Sequence, residues 1–190
     1  MNDGSRAGAL APADRWLAGR RAFAVGVAAL VVAASAQVTV PVPLSPVPMT
    51  LQPLAVLAVG GLLGAALGGS ALLLYLGLGL LGLPMFAGGS GGLLHVLGPT
   101  GGYLLAFPAA AAVAGRLAGD TRSLGRVLLG CALAMVVIHA GGAAQLAALG
   151  GDAGAALRFG FVPFLTGDLL KIGLAAAVIL GLGPKLRTLL

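Results

Sequence analysis

Hydrophobic and polar positions along this chain fall into long blocks: apolar runs alternate with short links that are rich in proline, glycine or arginine. No residue in the range 22–115 is charged. A membrane helix needs about 20 apolar residues, so this stretch alone has room for four helices. Because a backbone in lipid must satisfy its own hydrogen bonds, helices are the expected structure. The pattern therefore predicts an all-α integral membrane protein.

The apolar runs divide into six predicted spans. In chain order, we place them at residues 22–39, 51–64, 67–81, 100–117, 126–149 and 159–183. A proline-rich link at residues 41–50 follows the first span, and a glycine-rich link at residues 82–98 follows the third. The connection between the second and third spans is very short. These two spans are therefore expected to pack as a helical hairpin, within a bundle of six transmembrane helices.

Composition agrees with a single membrane domain over residues 1–190. Hydrophobic residues make up 59% of the chain and charged residues 8%, whereas a soluble domain carries about 25% charged residues. So few charges cannot cover a water-facing surface, which excludes a soluble globule. We expect a bundle over residues 20–184, with cytoplasmic tails at residues 1–19 and 185–190.

The positive charges predict the orientation of the bundle. With the N-terminus inside, the inner side holds nine basic residues: Arg6, Arg15, Arg20, Arg21, Arg116, Arg122, Arg126, Lys185 and Arg187. The outer side holds Arg158, while Lys171 lies within the sixth span. A positive-inside bias of this size places both termini in the cytoplasm. The predicted location is the inner (plasma) membrane, which the chain crosses several times.

The N-terminal part of the chain allows a second interpretation. Arg20 and Arg21 precede the apolar residues 22–34, and the run Ala34-Ser35-Ala36 resembles a signal-peptide cleavage site. Cleavage there would leave five spans in the same orientation. The apolar run continues beyond Ala36, however, and is long enough to cross the membrane, so we treat it as the first span.

Several classes of function are excluded by the residues that the chain lacks. The net charge is +6, but the basic residues flank the spans and aromatic residues make up only 5% of the chain, too few for a base-stacking surface. Nucleic acid is therefore not an expected partner, whereas the lipid bilayer is. The sequence has no glutamate and no Gly-Lys pair, which excludes a His-Glu-x-x-His zinc site and a P-loop. We expect no metal and no cofactor.

Asp168 and Lys171 are the clearest candidates for a functional role. They lie three residues apart in the sixth span and therefore share one face of its helix. A charge at membrane depth costs a few kcal/mol, and such residues usually mark a polar cavity. A mutual ion pair that only stabilises the bundle is the alternative.

The proline-rich link carries further polar groups on the outer side. It has four prolines in the eight residues 41–48, followed by Thr50 and Gln52. Since proline fixes φ and removes a hydrogen-bond donor, we expect a stiff, extended strip. The strip is either a plain rigid linker or the cover of a binding site.

The glycine-rich link offers a different kind of contact. Gly88 and Gly89 allow the backbone to approach a ligand closely. Thr100 is a candidate N-cap of the fourth span. Free N–H groups at that helix start could then hold an anion such as a carboxylate. A flexible loop is the alternative.

Small residues recur at a spacing of four in the first span, at Ala24 and Ala28 and again at Ala29 and Ala33. Membrane helices associate closely at such positions. Two interpretations of this pattern remain open: packing within the bundle, and a docking face for another membrane protein.

An intramembrane protease is a weaker alternative. The run Gly88-Gly89-Ser90-Gly91 matches the nucleophile motif of rhomboid-type proteases, and His139 or His95 would then serve as the base. Glycine-rich links produce this motif by chance. The chain also lacks the Trp-Arg loop and the asparagine that accompany the motif in those enzymes.

The polar links and the sixth span together resemble the BioY family, the biotin-binding S components of energy-coupling-factor (ECF) transporters. The matching pieces are PVPMTLQ at residues 46–52, GLPMFAGG at 82–89, GPTGGYL at 98–104 and GDLLK at 167–171. The third piece is the most specific. Met85 departs from the β-branched residue expected at its position but is also apolar.

The resemblance implies a six-helix bundle that holds biotin near its outer face, under the first link. It also implies three partners: biotin, a transmembrane coupling (T) component and a pair of cytoplasmic ATPase subunits. The coupling protein would dock on the small residues of the first span. Biotin would be the transported substrate rather than a cofactor.

The candidate contacts follow from the chemistry of biotin, which has a ureido ring, an apolar bicycle and a carboxylate tail. Asp168 could accept from the ureido N–H groups, and Lys171 could donate to the ureido carbonyl. The other candidates are Phe86 and Tyr103 against the bicycle, with Thr50, Gln52, Gly88 and Gly89 at the remaining polar atoms. The sequence thus predicts a vitamin-binding transport subunit rather than an enzyme, with a stand-alone carrier of another small anion as the alternative.

Overall fold

The computed structural model describes residues 12–43, 45–118 and 123–189. Its helices are α1 (Pro12–Ala36), α2 (Gln52–Leu80), α3 (Leu93–Leu97), α4 (Gly101–Ala118), α5 (Leu124–Gly150), α6 (Ala153–Gly160) and α7 (Leu165–Arg187). Short 3-10 turns at Ala87–Gly89 and Val162–Phe164 and a two-stranded sheet, β1 (Thr39–Val40) and β2 (Met49–Thr50), complete the fold. The basic residues Arg6 and Arg122 lie outside the described residues, as does the tail before residue 12.

Helix α2 reverses direction at Gly64 and so forms two membrane passes. Gly64 has φ 81°, a left-handed value that glycine adopts without strain. The side-chain amide of Gln52, at the start of α2, donates to the Tyr75 hydroxyl at 2.6 Å. A straight helix would hold these residues more than 30 Å apart at roughly 1.5 Å per residue. The predicted hairpin is thus confirmed, with arms at residues 52–63 and 65–80.

The described part of the chain therefore contains six passes. Five helical segments are long and apolar enough to cross a membrane: Asp14–Ala36, Gln52–Leu80, Gly101–Ala118, Leu124–Gly150 and Ala153–Leu186. Because α2 doubles back, it supplies two passes and raises the count to six. The predicted all-α membrane bundle is confirmed.

Close backbone contact holds the centre of the bundle together. A Cβ on Gly60 would overlap the backbone of Ala111 in α4, and a Cβ on Gly68 would lie 2.9 Å from the Gly60 Cα. A Cβ on Gly102 of α4 would likewise overlap the backbone of Gly141 in α5. Since helices in lipid gain little from apolar burial alone, such close approach is what allows them to associate.

Two predicted boundaries of the spans were wrong. Helix α1 begins at Pro12 rather than near residue 22, because the intervening alanines and arginines also favour helix. The last long helix begins at Leu165 rather than near residue 159. The preceding segment forms the separate helix α6, which is capped by Asp152 through hydrogen bonds of 2.8 and 3.1 Å from two backbone N–H groups.

The proline-rich link is more folded than the sequence predicts. Its two ends pair as antiparallel strands, with Thr39 opposite Thr50 and Val40 opposite Met49. A turn at Ser45, whose side chain bonds the backbone of Val47, lies between them. The link therefore returns over the end of the bundle that the charge pattern predicts to face outward, called the outer end below, instead of extending away from it.

Candidate functional site

A cavity lies at the outer end of the bundle, beneath the two outer links. Val47 and Pro48 from the first link and Ala87 from the second form part of its wall. Its empty volume is about 550 Å³, including the part that is open to solvent. The polar residues that line it are Thr50, Gln52, His95, Thr100, Tyr103, His139, Asp168 and Lys171.

Asp168 lies at the centre of a buried cluster of three polar side chains. One carboxylate oxygen is 3.1 Å from the Lys171 ammonium nitrogen, and the other is 2.5 Å from Nε2 of His139. All three residues are buried, with exposed fractions of 4% for Asp168, 6% for Lys171 and 7% for His139. The predicted pair is therefore part of a larger network that joins α5 to α7.

The position of Asp168 at the start of α7 leaves part of its hydrogen-bonding capacity free. Asp168 lies in the first turn of the helix, where the positive end of the helix dipole stabilises a negative charge. A carboxylate has about four lone-pair sites, and His139 and Lys171 each occupy one. Asp168 can therefore still accept hydrogen bonds from a ligand, and Lys171 still has protons to donate.

Gln52 and Thr50 form a second polar contact point on the cavity wall. The Thr50 hydroxyl lies 3.2 Å from both the side-chain oxygen and the backbone nitrogen of Gln52. The Gln52 amide group donates to the Tyr75 hydroxyl. This chain of hydrogen bonds fixes the orientation of the Gln52 side chain, which is 4% exposed.

Tyr103 contributes an aromatic wall that is fixed at its far end. Its hydroxyl donates to the Gly160 carbonyl at 2.5 Å. Its ring packs so closely on Gly142 that a Cβ at residue 142 would overlap the ring atoms. The ring also meets His139 edge to face, with 6.0 Å between the ring centroids. Tyr103 thus links α4, α5 and the end of α6 beside the charged cluster.

Three of the predicted site residues do not line the cavity. Phe86 is fully buried, edge to face with Tyr75 and stacked on His95. Gly88 and Gly89 form the turn beside it, and the Gly89 N–H already donates to the Gln37 side chain at 2.9 Å. These residues support the second link from behind. Contact of all three with a ligand stays a prediction.

The Ser90–His95 pair does not have the hydrogen bonding of a nucleophile and its base. The Ser90 hydroxyl donates its single proton to the Ala87 carbonyl at 2.7 Å. His95 Nδ1, 3.1 Å from Ser90, must then be the donor. His95 Nε2 lies 3.2 Å from the Thr100 hydroxyl. The imidazole thus ties the two glycine-rich segments together, and Thr100 directs its hydroxyl to His95 rather than serving as the predicted cap.

Sequence reasoning missed the structural role of His139 beside Asp168. The two residues are 29 positions apart, and no local pattern relates them. The available signal was that His139 is one of two histidines in the chain and lies in an apolar run. Gln145 was also missed: its amide donates to the Val96 and Gly98 carbonyls at 2.9 and 2.6 Å and so anchors the second link to α5.

The small residues of α1 divide between the interior of the bundle and its surface. Ala28 and Ala29 are 6% and 1% exposed, which shows that they pack against the bundle. Ala33 is partly buried against the same core. Ala24 and Ala28 also border an apolar groove between α1, α2 and α7, which has Arg15 and Arg20 at its inner end. Docking of a partner on this face stays a prediction.

Comparisons with known proteins agree with one another. Residues 11–188 match the model of the BioY family. A probable biotin transporter BioY of Pyrococcus horikoshii is 41% identical over 152 residues, which cover 80% of this chain and 90% of the relative. The biotin transporter BioY of Thermotoga maritima is 40% identical over 141 residues, which cover 74% and 83%.

A solved structure has the same fold. It is the S-component for biotin from an ECF-type ABC transporter, determined at 2.1 Å. The TM-score is 0.81 at 24% identity, and the match covers 92% of this chain and 94% of the other. The likeness in fold extends over nearly the whole of both chains.

Proposed function

The chain belongs to the BioY family, and we propose that it is the substrate-binding membrane subunit of a biotin uptake transporter. Two relatives that cover most of this chain are named as biotin transporters. The family consists of transporter components, so the protein is not an enzyme, and biotin is its substrate rather than a cofactor. The observation that carries the proposal is the buried acid–base cluster in a cavity at the outer end.

The cluster suits the ureido ring of biotin. The ring has two N–H donors and one carbonyl acceptor, and the cavity offers an acceptor in Asp168 beside a donor in Lys171. The apolar bicycle fits against Tyr103, Leu104 and Phe107, which line the same cavity. Gln52 supplies a further polar contact. On binding, these groups would displace water from the ligand and replace the hydrogen bonds it made to that water. A small number of polar residues can give specificity in this way.

Equilibrium binding of labelled biotin to the purified protein in detergent tests this function. We expect saturable binding that unlabelled biotin competes away, and strong loss of binding in the Asp168→Asn, Lys171→Ala double variant. The matched control is the Asp152→Asn, Lys185→Ala double variant. It changes the same residue types at an outer helix cap and at the inner end of α7, and asparagine retains the cap. Normal binding in the folded cluster variant would refute the assigned site.

The apolar groove beside α1 fits a second hydrophobic helix as partner. We propose that a transmembrane coupling protein docks there and connects this chain to a pair of cytoplasmic ATPases. Ala24 borders the groove, and the adjacent side chains Phe23 and Val27 are 75% and 42% exposed. This placement supports the role predicted for the small residues of α1, with Ala24 half-buried at the groove and Ala28 buried at its base.

Co-purification with the coupling protein tests the docking face. An Ala24→Trp variant should lose the coupling protein while it retains biotin binding, because its side chain would fill the groove. Val136→Trp is the matched control, since Val136 is 60% exposed on α5 and does not line the groove. Normal co-purification of the Ala24 variant would reject this face. Uptake by the chain without the ATPases would favour a stand-alone carrier instead.

The proposed orientation places the cavity on the outer side of the inner (plasma) membrane. Single-cysteine labelling in a Cys131→Ala background tests it. Leu94→Cys, on α3, is expected to react with an impermeant reagent from outside, since Leu94 is 85% exposed. Lys185→Cys is expected to react only from the cytoplasm. The reverse pattern would overturn the orientation.

A further inference from the structure

We propose that His139 is a positioning residue for ligand binding: it holds the carboxylate of Asp168 in the orientation that receives one ureido N–H group of biotin. This inference rests on the proposed function. The motivating observation is the contact of 2.5 Å between His139 Nε2 and one oxygen of Asp168, which joins α5 to α7 inside the cavity wall.

The hydrogen bond to Asp168 determines which nitrogen of the His139 imidazole carries the proton. An ionised carboxylate can only accept, so Nε2 carries the proton and donates it to Asp168. The other nitrogen, Nδ1, is buried and has no hydrogen-bond partner among the described residues. Neither nitrogen is therefore available at the cavity surface. His139 acts on a ligand through Asp168 rather than by direct polar contact.

The surrounding side chains hold the ring in place. Phe161 and Tyr103 meet it edge to face, with centroid separations of 4.9 and 6.0 Å, and Phe164 packs against it at 6.0 Å. Three aromatic rings that close around one imidazole restrict its rotation. The donor at Nε2 is consequently directed at one carboxylate oxygen.

The two hydrogen bonds to Asp168 restrict the orientation of its carboxylate to different degrees. Lys171 is three residues away on the same helix and reaches the other carboxylate oxygen with a flexible chain at 3.1 Å. Without His139, the carboxylate is free to rotate and engage Lys171 with either oxygen. With His139, each oxygen has one partner, and the remaining lone pairs face fixed directions. A ureido N–H group beside the carbonyl that Lys171 binds needs an acceptor in one fixed direction, because hydrogen bonds are directional.

Variants that differ in the reach of the donor test the inference by equilibrium binding of biotin. His139→Gln retains an amide donor near the position of Nε2, and we expect affinity within about threefold of the wild type. His139→Asn is equally polar but too short to reach Asp168. It should bind about ten- to a hundredfold more weakly, as expected for loss of a charge-assisted hydrogen bond. His139→Leu should resemble His139→Asn.

A double-mutant cycle separates positioning from general support of the fold. In an Asp168→Asn background, His139→Leu should cost less than about threefold, because the two residues act as one unit. Equal affinity in the Gln and Asn variants would overturn the inference, as would effects that multiply in the cycle. Loss of folding in the Asn variant, seen by thermal melting, would make the bond a structural tie and also overturn it. Wild-type protein that does not bind biotin would instead refute the proposed function.

Discussion

The outer and inner halves of this bundle are held together in different ways. Around the outer cavity, side chains cross-link separate elements: His139 bonds Asp168, Gln52 bonds Tyr75, and Tyr103 and Gln145 bond backbone carbonyls. Around the inner turn at Gly64, close approaches of backbones predominate, such as Gly60 on Ala111 and Gly115 on Ala65, although one such approach, of Gly102 to Gly141, also lies beside the cavity. The difference separates the half that we propose binds the ligand from the half in which close packing of helices maintains the fold.

The physical reason lies in the cost of polar groups in lipid. Each buried polar side chain needs a partner, so polar groups are stable only where a network satisfies them. The outer half has such a network and can therefore offer unused lone pairs and protons to a ligand. The inner half uses glycine and alanine, which pack closely and need no hydrogen-bond partner. Substitutions should consequently damage folding in the inner half and binding in the outer half.

Gly60→Val is expected to have the largest effect and to act on folding. The new Cβ would overlap the backbone of Ala111, which cannot move as a flexible side chain can. We expect a loss of stability of about 3 kcal/mol, at the upper end of what overpacking costs. Gly26→Val is the control, because nothing lies within 4 Å of a Cβ at Gly26. Thermal melting in detergent measures both, and equal melting temperatures would show that close backbone contact does not hold the inner half.

Lys171→Ala and Asp168→Asn should lower binding without unfolding the protein. Removal of either partner takes away a charge-assisted hydrogen bond, worth about 1.5–3 kcal/mol, which is roughly ten- to a hundredfold in affinity. Asp168→Asn should be the milder change, since asparagine keeps the size and one acceptor. Binding of labelled biotin is measured beside melting. Unfolding of both single variants, with recovery in an apolar double variant, would make the cluster a structural ion pair.

Tyr103→Phe should have a moderate effect on binding and leave folding almost unchanged. It removes the hydrogen bond to the Gly160 carbonyl but keeps the ring. A neutral hydrogen bond is worth about 0.5–1.5 kcal/mol, so we expect affinity to fall roughly two- to tenfold. Thr188→Val is the control, because it removes a similar hydroxyl-to-carbonyl bond at the inner end. Equal biotin affinities of the two variants would show that the Tyr103 hydroxyl does not contribute to ligand binding.

The smallest expected effect is the pH dependence of the outer links at His95, which lies outside the spans. Burial lowers the pKa of His95 from its ordinary value of 6.5, so the folded protein favours the neutral ring. The associated stability is present above the ordinary pKa and is lost as the pH falls through the lowered pKa of the folded state. The melting temperature should therefore fall less steeply below pH 6.5 in His95→Gln than in the wild type. Identical pH profiles would contradict this prediction.

Much of the fold was predictable because its signals are local. The very short connection between the second and third predicted spans indicated the hairpin, and the structure has it. Asp168 and Lys171 are three residues apart, so one helix face determined their contact. The strand pairing of Thr39 with Thr50 was not predicted, because proline stiffness indicates extended backbone but not its partner.

The rest of the candidate site depends on packing between distant elements. His139 meets Asp168 because α5 lies against α7, and no sequence interval encodes that contact. Phe86 was predicted beside the bicycle from the resemblance and the chemistry of biotin. It is fully buried against Tyr75, beside the turn at Gly88 and Gly89, so its contact with a ligand stays a prediction.

The turn at Gly64 has a consequence for the surrounding lipid. The first arm of α2, residues 52–63, is about 18 Å long at roughly 1.5 Å per residue, and the second arm, residues 65–80, is about 24 Å long. Both are shorter than the bilayer hydrocarbon core of about 30 Å. The bundle thus has a hydrophobic mismatch at one inner corner, which neighbouring acyl chains accommodate by local thinning of the bilayer. Bilayers with shorter acyl chains should fit this corner best.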